Sequence, residues 1–409
     1  MFQNIKNIYH LAMAVAANIY YGFPSRNLIV VGVTGTDGKT TTVSLIYSIL
    51  KASGVKTSMI SSIGTLINGK NYPLPFHVTT PSPFALQKFI KMAAEKTNLN
   101  GKKYLVLEVT SHSLDQFRVF GVNFEVGVIT NVSHEHLDYH RNYKEYVKTK
   151  VKLFRKSKEA VVNRDDKSYK IIMPQLKKLA GSKPFRIVTY GLKSTADVNS
   201  ENFEFKSNLL GEFNKYNVLA AITCAKLLGL KSAEIRKAIA EFRSPVGRQD
   251  MVYDKDFKIM IDFAHTPNSF HEILKILRLK VSGRIIHVFG SAGERDKTKR
   301  PEMGKFSSEY SDVTIVTAED PRSESIDEIT KDILSGVKNL DQKVENREIL
   351  KIADRQEAIN TAIKMARKND MVLVTGKAHE KSMNMGKGEI PWDDYKAVRM
   401  ALEFKNEKN

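Results

Sequence analysis

A chain of 409 residues exceeds the size at which one hydrophobic core usually stops growing, so two domains are expected. The formal charge of +19, from 64 Lys+Arg against 45 Asp+Glu, admits anionic partners, but the lysines are scattered and form no basic block interleaved with aromatics. That pattern argues for a solvated surface and against nucleic acid or membrane as partner. The single cysteine, Cys224, excludes an intramolecular disulfide and a thiolate zinc site and fits a reducing cytoplasm.

The first apolar stretch, Leu11 to Tyr21, is too short to span a bilayer and lacks a cleavage pattern. It reads as a short docking helix within residues 1–26. From Asn27 onward β-branched runs alternate with helical patterns: Leu28 to Val33, then Thr40 to Ala52, then Tyr104 to Val109 and Val126 to Thr130. A second such series starts near Ile259 and includes Ile285 to Phe289, Val313 to Thr317 and Met371 to Thr375. Alternation of this kind predicts parallel sheets with crossover helices. Between the two series Arg243-Ser-Pro-Val-Gly-Arg248 follows the predicted helix Ala233 to Phe242, where a boundary is expected. The predicted architecture is therefore α/β: a P-loop-type central domain with a mainly parallel sheet over 27–244, followed by a smaller Rossmann-like α/β domain over 245–409.

The strand Leu28 to Val33 runs into Gly35-Thr36-Asp37-Gly38-Lys39-Thr40-Thr41 and then into a helix. Backbone N–H groups and a helix N-terminus converge at such a turn and bind phosphate. Lys39 would reach the terminal phosphates and Thr40 would hold Mg²⁺. Val33 stands where the common motif has its first glycine, so only part of that motif remains. The competing reading, a glycine-rich turn with a solvated lysine, is disfavoured by the order of strand, loop and threonine run.

Glu108 ends an apolar strand, at the edge where open α/β sheets place ligands, and is a candidate Mg²⁺ ligand. The segment Asn131-Val-Ser-His-Glu-His-Leu-Asp138 follows another strand end and offers His136 and Asp138, while His134 and His140 read equally well as surface residues. Further on, Tyr143, Val147, Lys150 and Phe154 share one helical face, with Lys144, Lys148 and Lys152 opposite. A lysine at the centre of an apolar stripe must be paired, neutralised or modified. Periodicity alone favours a blander alternative, a snorkelling lysine whose head reaches water.

Taken together the motifs resemble the Mur ligase family, and its tripeptide-forming branch most. The resemblance runs from Tyr21 to about Leu402 and rests on Gly35 to Thr42, Thr79-Thr-Pro81, Glu108-Val-Thr-Ser-His112, His136-Leu-Asp-Tyr-His140, Gly211-Glu-Phe-Asn-Lys-Tyr-Asn217, Asp262-Phe-Ala-His-Thr-Pro267, Lys299-Arg-Pro301 and Gly376-Lys-Ala-His-Glu380. It implies ATP and Mg²⁺ as cofactors, Lys150 as a carbamylated lysine, and Glu108 and His136 as further metal ligands beside Thr40. It also implies Asn214 and Asn217 near adenine, Asp262 near ribose, and Arg248 over the phosphate. The acidic acceptor maps onto Thr79, Thr80, Thr110, Gln116 and Arg118. The incoming amino acid maps onto Arg295, the segment Glu319-Asp-Pro-Arg322 with Asp320 and Arg322 foremost, Gly376 and Glu380. The implied reaction moves a phosphoryl group from ATP to the acceptor carboxylate, and an amine then attacks the acyl phosphate. His265 and His379 are candidates for taking the amine's proton.

Three departures qualify the resemblance. Diaminopimelate-adding members read Asp-Asn-Pro-Arg where this chain has Glu319-Asp-Pro-Arg322, which leaves the amino acid's identity open. A first domain of about a hundred residues that holds the UDP part of the acceptor is implied ahead of the phosphate loop. Here only the residues up to Val33 precede that loop, so the uridine site is expected elsewhere, with a separate UDP-binding protein as one possible partner. The stretch from Asp197 to Gly211 also looks shortened. A UDP-free acceptor, as in folylpolyglutamate synthase, is the alternative, and a basic nucleic-acid-binding ATPase trails it.

Overall fold

The computed structural model describes residues 2–73, 79–95, 101–133, 137–140, 142–193, 195–337 and 347–407. The chain divides into two compact units, Met1–Arg243 and Ser244–Asn409. Strands of the first unit are β1 (Ile29–Thr34), β2 (Lys56–Ser61), β3 (Gly64–Ile67), β4 (Lys70–Tyr72), β5 (Lys103–Glu108), β6 (Phe124–Ile129), β7 (Ser157–Asn163) and β8 (Arg186–Tyr190). Among the described residues they form one sheet in the order β4-β3-β2-β5-β1-β6-β7-β8. All neighbours from β2 to β8 pair in parallel, and β3 and β4 add an antiparallel edge.

β1 reads Ile-Val-Val-Gly-Val-Thr and is buried along nearly its whole length, as a central strand covered on both faces must be. One covering helix, Lys39–Ala52, buries Val43, Leu45, Ile46, Ile49 and Leu50. They share a core cluster with Val218, Leu219, Ile222 and Cys224 of helix Glu212–Leu227. β5 and β6 lie on opposite sides of β1, so the connection between them crosses β1. The ends of all three strands, Thr34, Glu108 and Ile129, open on the crevice where such sheets bind ligands. No strand is assigned from Asn199 to Gly211, where the sequence looks shortened.

The N-terminal helix Phe2–Tyr21 is fastened to this unit by polar contacts. Asn18 donates to the Phe120 carbonyl at 2.7 Å, Asn7 to Asp115 at 3.2 Å, and Ser25 just beyond the helix to the Gly121 carbonyl at 3.1 Å. No described helix is long and apolar enough to cross a membrane.

The second unit holds β9 (Asp250–Asp254), β10 (Lys258–Asp262), β11 (Ile285–Phe289), β12 (Val313–Val316), β13 (Glu348–Lys351) and β14 (Met371–Thr375) in the order β13-β12-β11-β14-β10-β9. Only β9 runs antiparallel to its neighbour. A hairpin of β15 (Ser382–Asn384) and β16 (Glu389–Pro391) follows. Arg355, fully buried at the start of helix Arg355–Met365, makes a two-pronged pair with buried Asp394 at 2.9 and 3.0 Å. The same guanidinium donates to the carbonyls of Thr375 at 2.8 Å and Ala318 at 3.3 Å, at the end of β14 and just past that of β12. Asp394 also accepts from Ala378 N and Trp392 Nε1, both at 2.8 Å.

Candidate active site

The phosphate loop is built by residues drawn from the next strand end. Thr36 N donates to the Asn131 carbonyl at 2.8 Å, Asp37 N to Asn131 Oδ1 at 3.0 Å, and Asn131 Nδ2 returns to the Asp37 carbonyl at 3.0 Å. Thr130 Oγ1 donates to the same carbonyl at 2.7 Å. Gly38, with φ of 80°, is the N-cap of helix Lys39–Ala52, and a Cβ there would run into Asn217 Oδ1. This places Asn217 against the loop, and its amide donates to Asn214 Oδ1 at 2.9 Å. Gly38→Ala should therefore cost stability through both the left-handed backbone, about 1–2 kcal/mol, and the clash, and should weaken ATP binding. Thermal unfolding and an ATP titration check this, and a variant that keeps both unchanged would refute it.

Thr40 and Glu108 meet because β1 and β5 are neighbours in register, Val33 opposite Glu108. Thr40 Oγ1 donates to the Glu108 carboxylate oxygens at 3.1 and 3.2 Å, and lies 2.9 Å from Ser62 Oγ. Ser62 N donates to Glu108 Oε2 at 3.1 Å. Sequence reasoning misses Ser62, which no local spacing marks, and gives Asn131 no role beyond opening the segment that runs to Asp138. Two hydroxyls and a carboxylate form a hard oxygen donor set of the kind Mg²⁺ takes, usually with phosphate and water completing its shell. No group of three or more His, Cys, Asp or Glu side chains converges among the described residues. His134 and His136 lie outside the described residues, as does the side chain of Asp138. His140 is buried, with Nε2 3.0 Å from Ser111 Oγ, so its surface reading does not hold. Lys39 Nζ turns back onto its own loop, donating to the Thr36 carbonyl at 2.6 Å.

Lys150 does not snorkel. It is 1% exposed, and its Nζ donates to the Gly35 carbonyl at 2.6 Å and sits 4.4 Å from the centroid of the Tyr146 ring. The α-helix carrying it is Tyr143–Val151, shorter than the periodicity suggests, and a 3-10 turn Lys152–Lys156 continues it. Lys152, expected in solvent, is half-buried and pairs with Asp115 at 2.8 Å.

The residues that the resemblance assigns to the acceptor also come together. Thr80 Oγ1 donates to the Glu108 carbonyl at 3.0 Å and accepts from Thr110 N at 3.3 Å. Arg118 donates to the Thr80 carbonyl at 2.8 Å and grips Gln116 Oε1 at 2.7 and 3.0 Å. Thr110 Oγ1 caps the following helix by accepting from Ser113 N at 3.1 Å. Thr79 is half-buried beside them.

In the second unit Asp262 ends β10 and accepts from Gln249 N at 2.7 Å and Ala264 N at 2.6 Å. Burial raises its pKa, against the lowering effect of Arg248. Arg248 itself lies 4.5 Å over the Phe263 ring. Asp320 and Glu380 converge on Lys377, to which the motifs give no role. Fully buried, Lys377 donates to both Asp320 oxygens at 2.8 and 2.9 Å and lies 2.6 Å from Glu380 Oε2. Asp320 also accepts from Asn384 N at 2.9 Å. Arg322 is half-buried in the same turn, and Arg295 is exposed. Gly376, with φ of 101°, packs against Glu319, whose Oε2 would collide with any Cβ at that position. His379 is pushed down to about 3, first by burial and then by Arg248.

Residues 33–225 match the family model of the Mur ligase middle domain, and residues 247–378 match that of the Mur ligase glutamate ligase domain. The chain is a Mur ligase. It is 36% identical to UDP-N-acetylmuramoyl-L-alanyl-D-glutamate--2,6-diaminopimelate ligase 1 of Clostridium acetobutylicum, over 95% of this chain and 80% of that one. Identity to the diaminopimelate ligase of Aquifex aeolicus is also 36%, over 96% and 81%. Among solved structures, a UDP-N-acetylmuramoyl-L-alanyl-D-glutamate--2,6-diaminopimelate ligase superposes with a TM-score of 0.61 at 29% identity, covering 93% of this chain and 79% of that one. A folylpolyglutamate synthase of Mycobacterium tuberculosis shares the fold at a TM-score of 0.70 and 16% identity, covering 96% and 95%. As a Mur ligase the protein is an ATP-dependent enzyme that forms amide bonds, with small molecules as substrates.

Proposed function

We propose that the protein adds an amino acid, 2,6-diaminopimelate or a close analogue, to the glutamate carboxylate of a UDP-N-acetylmuramoyl-L-alanyl-D-glutamate-like acceptor. The observation that carries this reading is the junction of Thr40, Ser62 and Glu108 at the phosphate loop, in a chain 36% identical to diaminopimelate ligases over nearly its whole length. Gly35 to Thr41 would cradle ATP, with Lys39 leaving the Thr36 carbonyl to reach the terminal phosphates. Asn214 and Asn217 would lie by the adenine, Asp262 by the ribose, and Arg248 by the phosphates. Thr40 and Glu108, with His136 and a carbamylated Lys150, would hold Mg²⁺. When bound, the metal supplies positive charge that offsets the phosphates during transfer.

Thr79, Thr80, Thr110, Gln116 and Arg118 would orient the acceptor carboxylate. Aligning that carboxylate with the phosphoryl group is mainly a problem of proximity and charge stabilisation, and the loop amides with Lys39 provide both. Arg295, Arg322, Gly376 and Glu380 would orient the amino acid. The Lys377 ammonium occupies both oxygens of Asp320, so Asp320 would shape this pocket through Lys377 and the Asn384 backbone.

The test is ATP-dependent phosphate release with the UDP-linked acceptor across a panel of amino acids, with product masses read alongside. A product heavier by one diaminopimelate residue is expected. Turnover only with a UDP-free acceptor such as a folate would replace this reading by the alternative. A requirement for a second, UDP-binding protein would show as turnover of the UDP acceptor only in cell extract.

A further inference from the structure

The outward face of the N-terminal helix Phe2–Tyr21 is apolar and exposed. Its inward face, with Ala14, Ala17 and Asn18, is buried against the rest of the first unit. Opposite them lie Ile8, Tyr9, Ile19 and Tyr20, 68%, 62%, 66% and 73% exposed, with exposed Ala12 and Ala16 between. At the helical repeat these six fall within about 120° of the circumference, so they form one stripe. Phe120 is the one other exposed large apolar side chain among the described residues of the first unit. Tyr20 carries the stripe onto helix Pro83–Ala94, its ring 6.3 Å from that of Phe84. The four large side chains alone offer on the order of 600 Å², the upper end of what a monomer leaves in one patch.

The stripe is symmetric along the helix. Ile8 and Tyr20 lie six residues either side of Ala14, Tyr9 and Ile19 five, and Ala12 and Ala16 two. We propose that it docks a second copy of this chain, the two helices crossing antiparallel about a two-fold axis at the level of Ala14. A two-fold interface must be self-complementary, and this spacing is. Ile8 and Tyr9 of one copy come level with Ile19 and Tyr20 of the other, and Ala12 with Ala16. The alanines let the helix axes approach to about 8 Å, and the large side chains close over both ends. Paired, the stripes bury about 1,200 Å², where specific interfaces begin. Charge favours the same occupant. Between Lys6 and Arg26 the sequence has no Lys, Arg, Asp or Glu, so copies that each carry +19 meet through a neutral strip. A strongly acidic partner would find no cation along it. Helices that lie on membranes line their apolar face with Lys and Arg, and this one does not. The assembly is independent of which substrate the enzyme takes.

Sedimentation velocity of the full chain tests this, over micromolar to hundred-micromolar loading at low and at high salt. The mass should rise from one chain to two with concentration, and at several-fold lower concentration in high salt. Screening removes the repulsion between two cationic copies and leaves the apolar burial in place. A chain that stays monomeric throughout, or whose association weakens with salt, overturns the proposal. Ala12→Glu with Ala16→Glu, at exposed sites where a helix tolerates Glu, should raise the dissociation constant by at least about 100-fold at a nearly unchanged thermal midpoint. Ala12→Glu with Ala16→Lys sets opposite charges level across an antiparallel pair and should recover much of that loss, whereas a parallel pair would still oppose like charges. No recovery overturns the antiparallel register, and dimers that neither variant disturbs place the contact elsewhere and overturn the proposal. Should the doubly acidic variant unfold, the wild-type salt series decides. Flotation of the wild type with vesicles of phosphatidylcholine and phosphatidylglycerol completes the set, since a chain that floats and does not dimerise has a membrane as its occupant, against the proposal.

Discussion

Lys150→Ala should lower ligation by at least about 10²–10³-fold, the scale of losing one preorganised charge-stabilising group, with little change in ATP binding. The lysine is buried, yet its head group lies on the Gly35 carbonyl at the start of the phosphate loop and over Tyr146. Tyr146 in turn has its hydroxyl 3.2 Å from Thr36 Oγ1. A buried ammonium at this position carries a large desolvation cost. Carbamylation would replace it with an anion able to share a Mg²⁺ with Thr40 and Glu108. Short carboxylic acids such as acetate should then restore part of the activity of Lys150→Ala by supplying the missing anionic oxygen. Initial rates with and without added acetate, and in buffer stripped of carbon dioxide, check this. Wild-type rates in the variant would remove Lys150 from the mechanism, and a dead variant that no carboxylate rescues would leave the ammonium, held by Gly35, as the working form.

Arg355→Ala should destabilise the second unit by about 3–5 kcal/mol, the usual consequence of stranding one half of a buried ion pair. The partner left behind, Asp394, is fully buried, so its charge has no water to turn to. Denaturant midpoints of the full chain measure the loss. Replacing both residues together, Arg355→Met with Asp394→Leu, should recover much of it, because an apolar pair of similar volume often matches a buried salt bridge. A loss under about 1 kcal/mol in the single variant would mean that the pair is not what holds the second unit together. The same substitution also frees the carbonyls of Ala318 and Thr375, which adjoin Glu319 and Gly376 in the chain. Activity at temperatures where the variant stays folded should therefore fall as well.

Much of the architecture can be read from the residues because β-branched runs such as Ile29 to Val33 and Met371 to Thr375 can hardly form anything but buried strands. Lys150 stands out for a similar reason, since helical spacing places it among apolar neighbours. Periodicity cannot say where its head group goes, because Gly35 lies 115 positions away. Lys377 is invisible for the same cause. It sits in a turn with no period, and the carboxylate that buries it comes from Asp320, 57 positions earlier. The Thr40 to Glu108 contact likewise depends on β5 lying beside β1, and strand order is not written in any single segment.

The polar fastenings of helix Phe2–Tyr21 bear on how the protein can be shortened. Asn18 and Ser25 hold the carbonyls of Phe120 and Gly121, in the turn that follows Gln116 and Arg118. A version trimmed to start at the first strand, an obvious cut for expression or fusion, would strip the underside of this turn, beside the residues proposed to hold the acceptor, while leaving every motif residue in place. Such a protein would look intact by sequence and still hold its substrate badly, so the useful starting point for engineering lies ahead of this helix.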